Sequence, residues 1–197
     1  DKARLEIENF VNELSGDRVG LVLFAGSAFL QCPLTLDYSA LQLYLDAADP
    51  SAISTPGTNF ASALRAGVEA FEDRGESSDP ERTRAIVIIS DGEDHEQQAE
   101  QVLSKARDRG IEIYTVGAGE TDGVPVPVYN DRGRQIGYKR NTDGQRVRTR
   151  LEETYLRQLS GEGNYFRIGN TTSNFPSLLE KLSELNRTTF ARGAFET

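Results

Sequence analysis

Two residues with oxygen-bearing side chains follow segments that could place them together around a divalent cation. Thr58 lies in a Pro-Gly-Thr loop before an amphipathic segment, and Asp91 comes directly after the apolar run of residues 85–89. In an open α/β sheet, ligands bind at the carboxyl ends of the strands. A hydroxyl and a carboxylate are hard oxygen donors, which suit Mg²⁺ or Mn²⁺ better than zinc or copper. The structural alternative is that each residue caps the helix that follows it.

Three neighbouring residues would support such a site. Gly57 precedes Thr58, while Ser90 and Gly92 flank Asp91. Glycine at these positions would let the backbone approach an ion closely. We therefore expect a cation-binding loop pair rather than two isolated side chains.

Other kinds of site fit the sequence less well. Gly117-Ala-Gly119 begins like a dinucleotide-binding loop, but Asp122 stands where the third glycine belongs. A serine hydrolase needs a histidine base late in the chain, and the single histidine is His95. No activated nucleophile is evident, so we do not expect an enzyme. A receiver-like phosphoacceptor role for Asp91 stays open as an alternative, although Arg167 and Ile168 occupy the late strand after which receivers carry a lysine.

The composition of the chain limits the classes of partner that we expect it to bind. The net charge of −9 argues against nucleic acid and against membrane binding by charge. One cysteine, Cys32, excludes an intramolecular disulfide, and one histidine excludes a multi-histidine zinc site. No apolar run approaches the roughly 20 residues that span a bilayer, so we expect no direct membrane insertion of this chain. The chain contains no methionine, which leads us to expect a processed or excised piece.

The elements that must position these residues alternate between helices and short apolar strands. This order predicts a single α/β domain with a doubly wound, Rossmann-like, mostly parallel sheet. Pro33 cannot donate to a ladder, so its strand is expected at a sheet edge, antiparallel to its neighbour. Asp37 is the expected cap of the second helix. The predicted helices cover residues 4–14, 37–45, 60–71, 99–106 and 175–182, and the predicted strands cover 18–24, 29–35, 85–89, 111–116 and 165–168.

Residues 120–150, here called the insertion, break the alternation. Extended pieces alternate there with turn signals such as Asn141-Thr-Asp-Gly144, which predicts a β-meander between a strand and a helix. Either the basic side chains of this segment are merely solvated, or they form a docking patch for an acidic partner. The candidate patch consists of Arg132, Arg134, Lys139, Arg140, Arg146 and Arg148.

The loops around Thr58 and Asp91 resemble those of a known family. Gly57-Thr58-Asn59 and Ile88-Ile-Ser-Asp-Gly92 are similar to two parts of the metal-ion-dependent adhesion site of von Willebrand factor A domains. The resemblance implies that an Asp-x-Ser-x-Ser motif, a threonine and an aspartate hold a divalent cation, and that a partner's carboxylate completes the coordination. Thr58 and Asp91 match the family's threonine and aspartate. The expected cofactor of the complete domain is therefore Mg²⁺ or Mn²⁺.

Within that family the chain is most similar to the bacterial aerotolerance (Bat) subfamily. The resemblance implies a periplasmic location, outside the cytoplasmic membrane, with tethering by flanking transmembrane helices of the parent, and a link to a MoxR-type AAA+ ATPase. It covers essentially the whole chain, and its marks are Gly16-Asp-Arg-Val-Gly20, Phe24-Ala-Gly-Ser-Ala28, Gln31-Cys-Pro-Leu-Thr35, Ser90-Asp-Gly-Glu-Asp-His95, Gly137-Tyr-Lys139 and the ending Phe195-Glu-Thr197.

One departure from the family pattern has structural consequences. The Asp-x-Ser-x-Ser motif and the strand that should precede it are absent, so we expect residues 1–197 to form an N-terminally incomplete domain. The missing strand would lie in mid-sheet, between the strands at 18–24 and 85–89, and would leave their facing backbone groups unpaired. Either the parent protein or a second chain would supply it. The expected function is non-enzymatic protein binding or scaffolding through an incomplete magnesium site, and a metal-free interaction domain is the alternative.

Overall fold

The computed structural model describes residues 2–48, 53, 55, 57–72, 83–93, 99–130, 132, 134–141, 143–169 and 173–193. Asp94 and His95, the acidic loop from residue 73 to 82 and the carboxyl-terminal Phe195-Glu-Thr197 lie outside these residues. The helices are α1 (Lys2–Glu13), α2 (Tyr38–Asp46), α3 (Phe60–Glu72), α4 (Ala99–Asp108), α5 (Glu153–Ser160) and α6 (Pro176–Gly193). The strands are β1 (Val19–Phe24), β2 (Ala28–Thr35), β3 (Arg84–Ser90), β4 (Ile111–Ala118), β5 (Val124–Pro125), β6 (Pro127–Tyr129), β7 (Gln135–Tyr138), β8 (Arg148–Thr149) and β9 (Tyr165–Ile168).

A three-stranded parallel sheet forms the centre of the domain. Its order is β3-β4-β9, with Ile88 opposite Thr115 and Val116 opposite Phe166. Alternate residues of β4 point to opposite faces, so Ile113 packs with α3, α4 and α5 while Tyr114 packs towards α6. Two helical layers therefore cover the sheet, which confirms the expected doubly wound α/β class.

The strands β1 and β2 form an antiparallel hairpin. Phe24 pairs with Ala28 across a turn of three residues, and Val19 pairs with Thr35 at the far end. Within the described residues β2 has no partner besides β1, so Pro33 lies in an edge strand, as expected from its missing N–H. Gly20 eases this pairing, because a Cβ at that position would lie 3.1 Å from the carbonyl oxygen of Cys32, a tight contact.

Capping and apolar spacing determine where the helices begin and what they bury. Asp37 caps α2 as expected, because its Oδ1 accepts a hydrogen bond of 3.0 Å from the backbone N–H of Ala40. In α3, Phe60, Leu64 and Val68 follow one another at intervals of four residues and are all buried. This helix packs on both strand units: it contacts β1 and β2, and Gly67 faces Ile86 of β3.

No hydrogen bond joins β1 to β3 within the part of the chain that the structure describes, so the hairpin and the parallel sheet are separate hydrogen-bonded units. β3 is also poorly buried, since one of its seven residues is buried although five of them are apolar. This is the arrangement expected if a further strand belongs between β1 and β3.

The insertion consists of short antiparallel pairs. β6 pairs with β7, and β5 pairs with β8, so the outer pair closes the base of a hairpin. Backbone bonds from Lys139 to Val126, from Val147 to Lys139 and from Val126 to Val147 tie the two pairs together. The closing pair ends immediately before α5, which places the base of the insertion beside the carboxyl ends of β3 and β4.

Candidate functional site

Asp91 lies directly beyond the carboxyl end of β3, where its backbone and side chain are both held. Its carbonyl oxygen accepts a 2.8 Å hydrogen bond from the N–H of Glu152, at the start of α5. The hydroxyl of Thr149 donates to Oδ2 at 3.0 Å. By contrast, Oδ1 has only long contacts of 3.5 Å, to the hydroxyl of Ser90 and the N–H of Glu93. One carboxylate oxygen is therefore firmly engaged and the other is largely available.

The electrostatic surroundings also leave the Asp91 carboxylate available. Arg167 lies nearby in β9, but its guanidinium pairs with Glu120 and Glu153, each at 3.3 Å. Arg150 pairs with Glu152. Among the described residues no basic side chain forms an ion pair with Asp91. An unpaired carboxylate at a sheet edge is well suited to a cation.

Gly92 has a packing role that the sequence does not predict. Its φ is +83°, and a Cβ there would lie 2.4 Å from the carbonyl oxygen of Glu152 and 3.1 Å from Cγ of Leu156. The absence of a side chain thus allows α5 to approach β3. Ser90 supports the same turn, because its hydroxyl accepts a 3.1 Å hydrogen bond from the N–H of Gly92.

Thr58 lies at the start of α3 and is half-buried. The helix is capped by its neighbour Asn59, whose Oδ1 accepts from the N–H of Ser62 at 2.8 Å. The capping role that the structural alternative assigns to Thr58 is therefore filled by Asn59. The N–H of Asn59 donates to the carbonyl oxygen of Ala25 at 2.8 Å, which fixes this loop to the carboxyl end of β1. Gly57 beside it has a φ of +105°, a conformation that favours glycine.

Aromatic packing brings the two candidate loops to the same edge of the domain. The ring of Phe60, at the start of α3, lies 5.7 Å from that of Phe24 at the end of β1 and 5.5 Å from that of Tyr155 in α5. The start of α5 is in turn hydrogen-bonded to Asp91. The loop of Thr58 is thus held at the carboxyl end of β1, and Asp91 at the carboxyl end of β3. No cluster of three or more His, Cys, Asp or Glu side chains accompanies them in the described part of the chain.

A shallow cavity of about 70 Å³ opens beside Asp91. It is lined by Asp91, Gly119, Glu120, Thr149 and Leu151 among others, so the insertion forms one of its walls. Gly117, which begins the glycine pair that resembled a dinucleotide loop, lies inside β4. A Cβ there would meet the hydroxyl of Tyr165 at 2.4 Å, so this glycine serves packing within the sheet.

The six residues of the candidate patch are all exposed and lie along the insertion. The guanidinium of Arg146 lies 5.0 Å from the centre of the Tyr138 ring. Arg140 donates to the carbonyl of Gly144 and Arg148 to that of Gly123, each at 2.6 Å. Arg132, Arg134 and Lys139 make no side-chain contact of this kind with another described residue.

Two contributors to the site were not foreseen in the sequence. Thr149 is 58 residues away from the carboxylate that it holds, and Glu152 contributes its backbone rather than its acid. No motif marks either residue. Thr149 is the last residue of the closing strand of the insertion, and Glu152 follows that strand.

Comparisons with known proteins agree on the fold. The sequence model of the von Willebrand factor type A domain family matches residues 1–181 of this chain. The crystal structure of the conserved hypothetical protein BatB from Bacteroides thetaiotaomicron is 32% identical, with a TM-score of 0.82, over 94% of this chain and 87% of that chain. An aerotolerance-related membrane protein from Bacteroides fragilis, solved with multiple mutations to serines, is 30% identical, with a TM-score of 0.78, over 95% and 87%.

Comparisons with less similar proteins support fewer statements about this chain. An uncharacterized protein of Borreliella burgdorferi is 29% identical over 132 residues, which are 64% of this chain, and the chain spans only 37% of that curated relative. Proximal thread matrix protein 1 from the mussel byssus, described with a zinc-occupied MIDAS motif, shares the fold alone at 15% identity, with a TM-score of 0.58 over 95% of this chain and 39% of that chain. In the described residues, no helix is both long and apolar enough to cross a bilayer.

Proposed function

Because the chain belongs to the von Willebrand factor type A family, we propose that it is a non-enzymatic protein-binding domain in which Thr58 and Asp91 contribute to a site for Mg²⁺ or Mn²⁺. Domains of this family commonly serve adhesion or protein interaction. The observation that supports the cation site most directly is the asymmetry of the Asp91 carboxylate, whose Oδ2 is fixed by Thr149 while Oδ1 has only contacts of 3.5 Å.

The donor set fits a hard divalent cation in kind. A hydroxyl and a carboxylate are oxygen donors, and Mg²⁺ takes about six of them in octahedral geometry. The bound cation would supply a positive charge that attracts the carboxylate of a partner protein. Thr149 holds the Asp91 side chain in one orientation, and Asn59 fixes the backbone that presents Thr58.

The donor set is incomplete in number. Two side-chain oxygens leave about four positions for water or for groups from outside the described residues. Among the described residues, β1 pairs only with β2 and β3 only with β4, so each has an edge without a strand partner. A strand placed between them would carry its own side chains to the site. We therefore infer that the remaining ligands arrive on such a strand, from the parent protein or from a second chain.

A metal-free interaction domain is the second candidate. It is favoured by the lack of a cluster of three or more potential ligands among the described residues. In that case Asp91 would serve only to anchor Thr149 and the insertion, and partner binding would depend on shape and charge.

The context of the parent protein is proposed from the family. Two similar solved structures are those of BatB and of an aerotolerance-related membrane protein. We infer that the domain acts on the periplasmic side of a bacterial cytoplasmic membrane, tethered by flanking helices. A MoxR-type AAA+ ATPase is the functional partner that this resemblance implies.

A titration with Mn²⁺, followed by the relaxation of water protons, tests the cation site in the chain itself. We expect weak binding, with a Kd of about 10⁻³ M, because most of the coordination shell is water. Asp91→Ala should weaken the binding at least about fivefold, whereas removal of an exposed acid elsewhere, as in Asp122→Ala, should leave it unchanged. Equal loss in both variants would show non-specific attraction to an acidic protein and would favour the metal-free function.

A further inference from the structure

The insertion differs in charge from the rest of the chain. Residues 120–150 contain seven basic and four acidic side chains, a net charge of +3 within a chain of net charge −9. Among the described residues, none of the six exposed basic side chains named above forms an ion pair. Charges that stabilise the fold of an acidic protein would be expected to pair with its many carboxylates. These side chains are available to another molecule.

Apolar side chains lie among these charges. Ile136 is 64% exposed and Tyr138 is 41% exposed. They are two residues apart in β7, so their side chains point to the same face of the strand. Arg146 lies over the ring of Tyr138, which keeps its charge on this face. The face therefore combines an aliphatic group, an aromatic ring and a guanidinium, a composition that is enriched in protein interfaces.

We propose that the exposed surface of the insertion, which carries Ile136, Tyr138 and the six basic residues, is a docking surface for an acidic polypeptide segment that carries an apolar residue among its carboxylates. The positive charges attract the carboxylates, while Ile136 and Tyr138 bury the apolar residue. Binding at this surface requires no cation, so it is distinct from the Thr58–Asp91 site.

The position of the surface favours a polypeptide over other anions. The base of the insertion reaches the candidate cation site through the hydrogen bond from Thr149 to Asp91. One acidic segment could therefore extend from the insertion to the edge where the proposed function places a partner's carboxylate. The choice of a polypeptide as the ligand rests on the proposed function, in which a partner protein supplies a carboxylate.

The test uses the whole chain, with EDTA present so that the cation site does not contribute. The probe is a short fluorescein-labelled peptide in which glutamates flank a single leucine, and a peptide with glutamines in place of the glutamates is its control. Fluorescence anisotropy should show binding of the glutamate peptide only. The affinity should fall about tenfold between low salt and about 0.3 M NaCl, because exposed charges are screened.

Matched variants locate the binding. Changing Arg132, Arg134 and Lys139 to glutamine should weaken the affinity about fivefold or more, and Ile136→Ser should weaken it about twofold to threefold. The control variant carries the same change of charge at three exposed residues outside the insertion, Arg65, Lys105 and Lys181. It should retain the affinity of the original chain within about twofold. Because EDTA is present, the outcome of this assay does not depend on whether the Thr58–Asp91 site binds a cation.

Three results would overturn the proposal. Equal weakening in the insertion variant and its control would mean that the insertion is not the binding surface. Binding to vesicles of anionic phospholipid, without binding to the glutamate peptide, would assign the surface to a membrane. A molecular mass that rises with protein concentration and returns to the monomer in the insertion variant would assign it to a second copy of the chain.

Discussion

The hairpin β1-β2 and the sheet β3-β4-β9 are built from similarly apolar strands but bury them to different extents. In β4, which has a strand on each side, six of eight residues are buried. All six residues of β1 are only half-buried, and β3 has one buried residue of seven. The number of strand partners does not explain the difference alone, because β9 also has only one partner and three of its four residues are buried. Among the described residues, β1 and β3 each combine incomplete burial with an edge that has no strand partner.

The two units are held together mainly by side chains. Phe60 of α3 packs against Phe24 on the hairpin side and Tyr155 on the sheet side. We expect the three-stranded unit to be the more stable one and the hairpin to depend on this packing. The predictions below test that ranking, starting from the largest expected effect.

Phe60→Ala should have the largest effect, because Phe60 is fully buried between the two units. We expect a loss of about 3–5 kcal/mol in the free energy of unfolding. In urea, the buried thiol of Cys32 in β2 should become reactive before the tyrosines of the sheet become exposed. The control is Leu178→Ala, which removes an equally buried side chain from the other face of the sheet and should leave the two transitions coincident. Coincident transitions in the Phe60 variant would contradict the ranking.

Gly92→Ala should disturb the sheet side of the site. The new Cβ would meet the carbonyl of Glu152 and require a positive φ, so we expect a loss of about 2–3 kcal/mol. Gly144→Ala is the matched control, because it has a similar φ of +78° but nothing within 4 Å of the added Cβ. Urea denaturation should show a clearly smaller loss for Gly144→Ala. Similar losses would mean that backbone strain alone, and not the approach of α5, determines the role of Gly92.

Alkaline pH should weaken the sheet by about 1–2 kcal/mol between pH 10 and 12. Burial, with the carboxylate of Glu112 adding to it, raises the pKa of Tyr114 to about 12. Burial, followed by the carboxylate of Glu153, also raises the pKa of Tyr165. Folding therefore favours the protonated phenols, so the stabilisation is complete below the unfolded pKa of about 10 and is lost as pH rises through the folded values.

Absorbance at 295 nm measures this ionisation directly. We expect Tyr114 and Tyr165 to ionise only as the sheet unfolds, and Tyr114→Phe to remove part of the dependence of stability on pH. Full ionisation of all tyrosines near pH 10 in a chain that stays folded would contradict the burial of the sheet.

Thr149→Val should have the smallest effect, about 1 kcal/mol, because it removes one hydrogen bond to Asp91. Thr149→Ser keeps the hydroxyl and should retain most of the stability. The comparison shows whether the insertion is coupled to the end of β3 through this bond. Chemical denaturation that does not distinguish valine from serine would mean that the bond contributes nothing to that coupling.

The sequence predicts the parts of the fold that depend on local patterns. The apolar run at 85–89, the edge position of Pro33 and the cap at Asp37 follow from side-chain spacing, the missing N–H of proline and the capping geometry of aspartate. The family, too, is recognisable from the sequence motifs around Thr58 and Asp91, and it is confirmed by the match over residues 1–181.

The local pattern does not reveal contacts that the tertiary fold creates. The sequence predicts that a helix follows the insertion, but it does not predict where that helix, α5, begins and ends. The hydrogen bond from Thr149 to Asp91 joins residues that are distant in sequence. The sequence predicts that Gly92 lets the backbone approach a cation, but it does not predict that a Cβ there would lie 2.4 Å from the carbonyl oxygen of Glu152. In the last two cases, the atom that the residue contacts belongs to a distant segment of the chain.

The most direct test of the central claim is to supply a strand between β1 and β3. An apolar strand that ends in Asp-x-Ser-x-Ser would be fused ahead of Asp1, and Mg²⁺ binding to the fused and original chains would be compared by calorimetry. We expect the fused chain to bind at least about tenfold more tightly, since it adds oxygen ligands, and to lose that binding with Asp91→Ala. Amide exchange should slow in β1 and β3 of the fused chain. Equal cation binding by both chains, with no protection of these strands, would contradict the account.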